Sequence, residues 1–181
     1  MYWDDPKPEF KWPVTIQQRI AAEAEAVWEA ISTPGNLETC HPYCLKNPVT
    51  SWPGDGAIDH VHYLNGLIYE RRFRRWIDGV GYELEIGEKY KTVSYVSWRV
   101  ASAGAGESVL RIAVYPHLLQ SIPVWVRWIP HLVYVRPLLR SYLRSVVRGF
   151  QWYMVRGEAV PRNQFGPHVW FSKPTRRNRA T

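Results

Sequence analysis

Cysteine is scarce in this chain. Cys40 and Cys44 are the two present in 181 residues, which is no disulfide framework. No run of about twenty clean apolar residues occurs, so no transmembrane helix is expected. The start, "MYWDDPKPEFKWP", is acidic and proline-rich and has no apolar signal core. The expected location is therefore the cytoplasm. No second cysteine pair and no HExxH motif is found, so neither a metal nor another cofactor is expected. His60-x-His62 and the "CHPYC" run with Cys40, His41 and Cys44 carry ligand-type side chains, but Pro42 interrupts the second. No base-reading motif appears either, and nucleic acid is not an expected partner.

Acids are also in the minority. Against 16 Asp and Glu stand 23 Lys and Arg, a net charge of +7. That balance favours an acidic partner, such as a phospholipid surface or an anionic small molecule. What the chain has in quantity is aromatic residues, with 10 Trp and 11 Tyr. Such side chains build cores, but they also line ligand pockets and interfaces. At 46% hydrophobic and 22% charged residues, the composition is globular, and the length suits one domain.

The order of elements is legible from periodicity. "VTIQQRI" alternates and predicts a strand. "AAEAEAVWEAIST" predicts a short amphipathic helix, with Val27, Trp28 and Ile31 as its stripe and Pro34-Gly35 as its stop. Six strand-like runs follow between residues 45 and 115, separated by "PGDG", "NG", "DG", "GEKYK" and "AGAGE". From Pro137 a long helix is predicted, with Leu139, Leu143, Val146, Phe150 and Met154 at helical spacing. Residues 1–13 read as an N-terminal extension, 14–155 as the domain, and 156–181 as a tail with a disordered basic end.

This order, with the phrases "IAAEAEAVWEAISTPGNL", "HYLNG" and "GYELEIGE", resembles the Bet v 1-like, START-related superfamily of polyketide cyclase and lipid transport type. The resemblance covers residues 14–155. It implies an α+β helix-grip fold: a curved seven-stranded antiparallel sheet wrapped around a long C-terminal helix, with a cavity between them. It implies binding or transport of a lipid, polyketide or similar apolar molecule. A cyclase, aromatase or lyase acting in the same pocket is the alternative.

Two turns set an expected register. Asn65-Gly66, taken as a two-residue hairpin turn, pairs His62 with Tyr69, His60 with Arg71 and Ile58 with Phe73. Asp78-Gly79 pairs Arg75 with Tyr82, Phe73 with Leu84 and Arg71 with Ile86. One face then carries Ile58, His60, His62, Leu64, Tyr69 and Arg71, continued by Phe73, Tyr82 and Leu84. From the last helix Tyr142, Val146 and Phe150 join them as expected ligand-binding residues. Asp59, Glu70, Arg72, Arg74, Glu83 and Glu85 form a charge ladder on the other face. Arg71 then sits on the apolar face without an acid from these strands, which suits a ligand with an acidic group. The plainer alternative is that Arg71 and Arg75 reach the cavity mouth and the histidines are hydrogen-bonded wall residues. For an enzyme, His60, His62, Tyr69 and Arg71 are the candidate catalytic groups.

Proline recurs every seven residues, at 116, 123, 130 and 137. Residues 116–136 thus form a proline-rich insertion before the last helix, expected as short helical pieces or a kinked helix. It is apolar and aromatic, with Leu118, Leu119, Ile122, Trp125, Trp128 and Leu132. Three roles stand open for it: a lid or core extension, a peripheral membrane contact, or a homodimer contact. Arg136, Arg140, Arg144 and Arg148 follow at steps of four, a stripe that suits either water or anionic lipid.

Overall fold

The computed structural model describes residues 12–117 and 123–172. The alternating runs build one antiparallel sheet. Its strands are β1 (Val14–Ile20), β2 (Cys44–Lys46), β3 (Val49–Ser51), β4 (Ile58–Tyr63), β5 (Ile68–Ile77), β6 (Gly81–Gly87), β7 (Ser94–Gly104) and β8 (Glu107–Tyr115). Their spatial order is β1-β8-β7-β6-β5-β4-β2, with β3 also paired to β4. The stretch expected as one strand before β4 is two short ones, because Pro48 has no N–H to donate. Asn47 beside it is turned inward. Its backbone N–H donates to Glu38 Oε1 at 2.7 Å and its side chain to His60 O at 2.9 Å.

The helices are α1 (Ala24–Ser32), α2 (Leu37–Cys40), α3 (Val124–Pro130), a π-helical turn (His131–Val135) and α4 (Arg136–Arg156). The amphipathic face of α4 buries Leu139, Leu143, Val146, Val147 and Phe150 against the sheet. There the Phe150 and Trp98 rings meet edge to face at 5.3 Å. Side chains such as these contribute roughly 1.5–3 kcal/mol each when fully buried. The fold is the α+β helix grip.

The insertion is not separate from the last helix but extends it. Pro130 closes α3 and Pro137 lies in the first turn of α4. Each removes one backbone donor. Between them the chain widens into the π turn, where the Arg136 N–H bonds back to His131 O. That wider turn keeps the axis running where a regular helix loses two hydrogen bonds. Leu118, Leu119 and Ile122 of the insertion, most of the N-terminal extension and the basic end of the tail lie outside the described residues.

The hairpin from β4 to β5 departs from expectation. Tyr63 N–H donates to Leu67 O at 2.8 Å and Gly66 N–H to Tyr63 O at 2.9 Å. The loop is therefore three residues long, Leu64-Asn65-Gly66, with Gly66 left-handed at φ 92°. The extra residue is a common hairpin solution, a turn closed by a left-handed glycine. It moves the register by one: Asp59 pairs Arg71, His60 pairs Glu70, Val61 pairs Tyr69 and His62 pairs Ile68. A slip of one inverts a strand. His60 and His62 go to the outer face, while Asp59, Val61 and Tyr63 go inward. From Phe73 back to Arg71 the β5–β6 register is as expected, but a bulge after Phe73 pairs Arg75 with Glu83 and Trp76 with Tyr82. Arg75 thus leaves the inner face and Trp76 takes its place.

Residues 157–172, read as tail, fold back on the body. Val160, His168, Phe171 and Ser172 are buried. Val160 N–H donates to Thr39 O at 2.8 Å, and Asn163 N–H to Pro42 O at 3.0 Å.

Candidate ligand-binding cavity

Between α4 and the inner face of the sheet lies a cavity of about 400 Å³. Its walls are apolar, from Val61 and Leu84 through Ile112 and Val114 to Leu139 and Val146. Tyr134, 55% exposed, and the half-buried Trp170 also line it and mark the mouth. His117 also lines the cavity, its Nδ1 bonded to Ser94 Oγ at 2.9 Å.

The closed end is polar. His41 caps α2, with its backbone N–H on Leu37 O at 3.1 Å. Its ring Nδ1 accepts the Tyr43 N–H at 3.1 Å. That leaves Nε2 to carry the proton, and it meets Tyr142 Oη at 2.8 Å. Tyr142 Oη in turn meets Tyr63 Oη at 3.1 Å. Burial, with Arg71 adding to it, pushes the His41 pKa down to about 3, so the ring is neutral at physiological pH. Burial also raises the Tyr63 and Tyr142 phenols above their ordinary value. Tyr69 nearer the mouth is raised for the same reason.

Arg71 also borders the cavity, and it is not alone. Its Nε donates to Asp59 Oδ1 at 2.6 Å and its Nη2 to Asp59 Oδ2, a two-pronged pair in which both residues are buried. Burial opposes the guanidinium charge, and Asp59 more than restores it, so the Arg71 pKa is raised on balance. The guanidinium also lies 5.3 Å from the Phe73 ring centre, within cation–π range.

Of the residues expected to bind ligand, Tyr69, Arg71, Leu84, Tyr142 and Val146 line the cavity. Phe73, Tyr82 and Phe150 are on the right side of the sheet but sit in packed core, fully buried. Ile58, His60 and His62 lie on the opposite face, and Leu64 lies in the turn. His60 there faces Glu70, with Nε2 3.4 Å from its carboxylate. The four candidate catalytic groups are therefore not brought together. The outer charge ladder keeps Glu70 with Arg72, and Arg74 with Glu85 at 2.6 Å. Asp59 leaves it for the interior, and Glu83 pairs Arg99 instead.

His41, Asp59, Tyr63, Trp170 and Phe171 escaped sequence reasoning. Asp59 and Tyr63 follow from the hairpin loop length alone. Trp170 and Phe171 left a signal in "HVWFS", an aromatic pair too apolar for a free tail. Among the described residues no three His, Cys, Asp or Glu side chains are placed to hold a metal. Both ring nitrogens of His41 are engaged, and Cys44 Sγ–H donates to Lys46 O at 3.2 Å. Among the described residues no helix is long and apolar enough to cross a membrane.

No family model matches the sequence, and no curated protein matches it. Solved structures do share its fold. A START superfamily protein from Mycobacterium smegmatis superposes with a TM-score of 0.63 at 11% identity, covering 80% of this chain and 97% of that one. DynU16, from the dynemicin biosynthetic locus, gives 0.62 at 14% identity over 81% of this chain; the match spans 48% of DynU16. Ara h 8.0201 gives 0.55 at 10% identity over 80% of this chain and 97% of its own. Identities this low show a common fold, the one implied by the sequence resemblance.

Proposed function

We propose that this protein binds an apolar small molecule in its internal cavity, as a carrier or sensor of that molecule. The observation that carries the reading is the cavity of about 400 Å³, walled by aliphatic and aromatic side chains and polar at one end. Such a space suits a lipid, a polyketide or a comparable ring system. The neighbouring folds in a START superfamily protein and in a protein of the dynemicin biosynthetic locus support the same class. A cyclase or lyase reading is the less favoured one. Proton transfer near neutral pH needs a group poised near 7, and at the closed end burial drives His41 down to about 3 and the phenols up. Gently purified protein examined by native mass spectrometry should carry a bound mass that denaturation releases. Protein that is always ligand-free, and that also fails to take up a lipophilic dye, rules the reading out.

The mouth suggests where loading occurs. Trp125, Trp128, Ile129, Leu132, Val133 and Tyr134 are exposed along α3 and the π turn, and Tyr134 lines the cavity. Arg136 and Arg144 are exposed on the helix that follows. Interfacial aromatics with flanking arginines favour an anionic lipid surface over a dimer partner. Vesicles containing phosphatidylserine should sediment the protein, and purely zwitterionic ones should not. A Trp125→Ser/Trp128→Ser variant should lose that difference; unchanged sedimentation would discard the membrane contact.

A further inference from the structure

The closed end of the cavity contains a surplus proton. Neutral His41 has one N–H, on Nε2, because Nδ1 accepts the Tyr43 N–H. Tyr63 and Tyr142 each have one O–H. That makes three donor hydrogens for two hydrogen bonds, His41–Tyr142 at 2.8 Å and Tyr142–Tyr63 at 3.1 Å. However the phenols turn, one hydroxyl proton is left without an acceptor among the described residues. All three side chains line the cavity, and an unsatisfied donor in an apolar space costs about 1–3 kcal/mol.

Among the described residues the same end offers no unmatched positive charge. Arg71 is the one lysine or arginine among the described residues of the cavity wall, and Asp59 takes two of its donors in a buried pair. A carboxylate entering there must shed its water and face a pair that is already neutral overall, with the Asp59 anion beside Arg71. That cost is not repaid. His117 is also in the cavity wall, and burial lowers its pKa and so disfavours its charge.

We infer that the Tyr63–Tyr142 hydroxyl pair is the anchor for a neutral ligand oxygen, a ketone, ester or hydroxyl on an apolar skeleton, and that the cavity discriminates against free acids. This rests on the reading of the cavity as a ligand site. It also replaces the acid-binding role expected of Arg71: Arg71 holds the wall together through Asp59, and the phenols recognise the ligand.

Three probes of matched shape test it: ethylnaphthalene, acetylnaphthalene and naphthoate, all substituted at the same ring position. Binding is followed by isothermal titration. The ketone should bind about threefold to tenfold tighter than the hydrocarbon, the range one net hydrogen bond supplies. Naphthoate should bind weakest at pH 8 and gain about tenfold per pH unit down to pH 6, because only its neutral acid form enters. In a His41→Leu/Tyr63→Phe/Tyr142→Phe variant, the advantage of the ketone over the hydrocarbon should vanish. All three donors are removed, because the two phenylalanines alone would free the His41 Nε2–H to replace the phenols. Equal affinity for ketone and hydrocarbon in the wild type overturns the anchor but leaves the cavity reading standing. So does a ketone advantage that survives in the variant. Tight, pH-independent naphthoate binding restores an anion site and overturns the inference. Failure of all three probes to bind counts against the cavity reading itself.

Discussion

His41 is a histidine that behaves as a fixed hydrogen-bond donor. In the unfolded chain it titrates near its ordinary value of 6.5, while in the folded protein burial, with Arg71 adding to it, holds it down at about 3. Between those values the unfolded state binds the extra proton, so stability falls as pH falls through that window. The contribution is fully present above 6.5 and is lost progressively below it. Burial lowers His131 and His168 in the same direction. Urea unfolding at about pH 7.5 and 5.5 should show the wild type losing roughly 1.4 kcal/mol more than a His41→Gln variant. Equal losses in the two proteins would falsify the neutral, buried state of His41. At this scale the sequence was only partly legible. The apolar faces of β5 and α4 direct Tyr69, Arg71 and Tyr142 to the cavity. His41 is hidden, because a Cys-His-Pro-Tyr-Cys run announces thiols and a turn, and nothing in it tells that both ring nitrogens find partners.

Among the elements, the strands and helices followed their periodicities, and the errors arose where they join. Asn65-Gly66 suits a two-residue turn as well as a three-residue one ending in a left-handed glycine. The choice depends on which face of β4 the rest of the protein buries. Val61 and Tyr63 are apolar enough to have settled it, set against two histidines with no such claim. The proline period correctly marked a disturbed helix at 130 and 137, yet could not reveal that a π turn would absorb the disturbance. One contact between elements depends on a residue easily overlooked. Gly149 on α4 lies against the end of α2, where an added Cβ would come 2.2 Å from Cys40 O and 3.0 Å from Pro42 Cδ. Alanine ordinarily favours a helix over glycine by about 1 kcal/mol. Here Gly149→Ala should instead destabilise by about 1–3 kcal/mol, because backbone must move to admit the methyl. Thermal unfolding decides the sign; a gain would mean α2 and α4 separate without cost.

At the scale of the molecule, the described residues combine an eight-stranded sheet with the long helix α4 and keep the space between them only partly filled. The element order carried that architecture in the sequence, since successive tight turns leave an antiparallel meander and a long amphipathic helix needs one face to cover. The space itself was legible through resemblance alone, because periodicity assigns residues to a face but not to core or void. The buried Asp59–Arg71 pair ties β4 to β5 within that frame. Removing one partner should cost about 3–5 kcal/mol, a large share of the roughly 5–15 kcal/mol that holds a domain folded. Asp59→Leu and Arg71→Met should each show it in urea unfolding, and the Asp59→Leu/Arg71→Met double variant should recover most of the loss. Single-residue losses that simply add in the double variant would show the two positions to be independent. The pairing has a consequence for how such a sequence drifts. Each one-step exchange of either partner passes through a stranded interior charge, so positions 59 and 71 should be inherited as a unit. A descendant that has lost one without the other should carry a compensating charge within reach of the survivor.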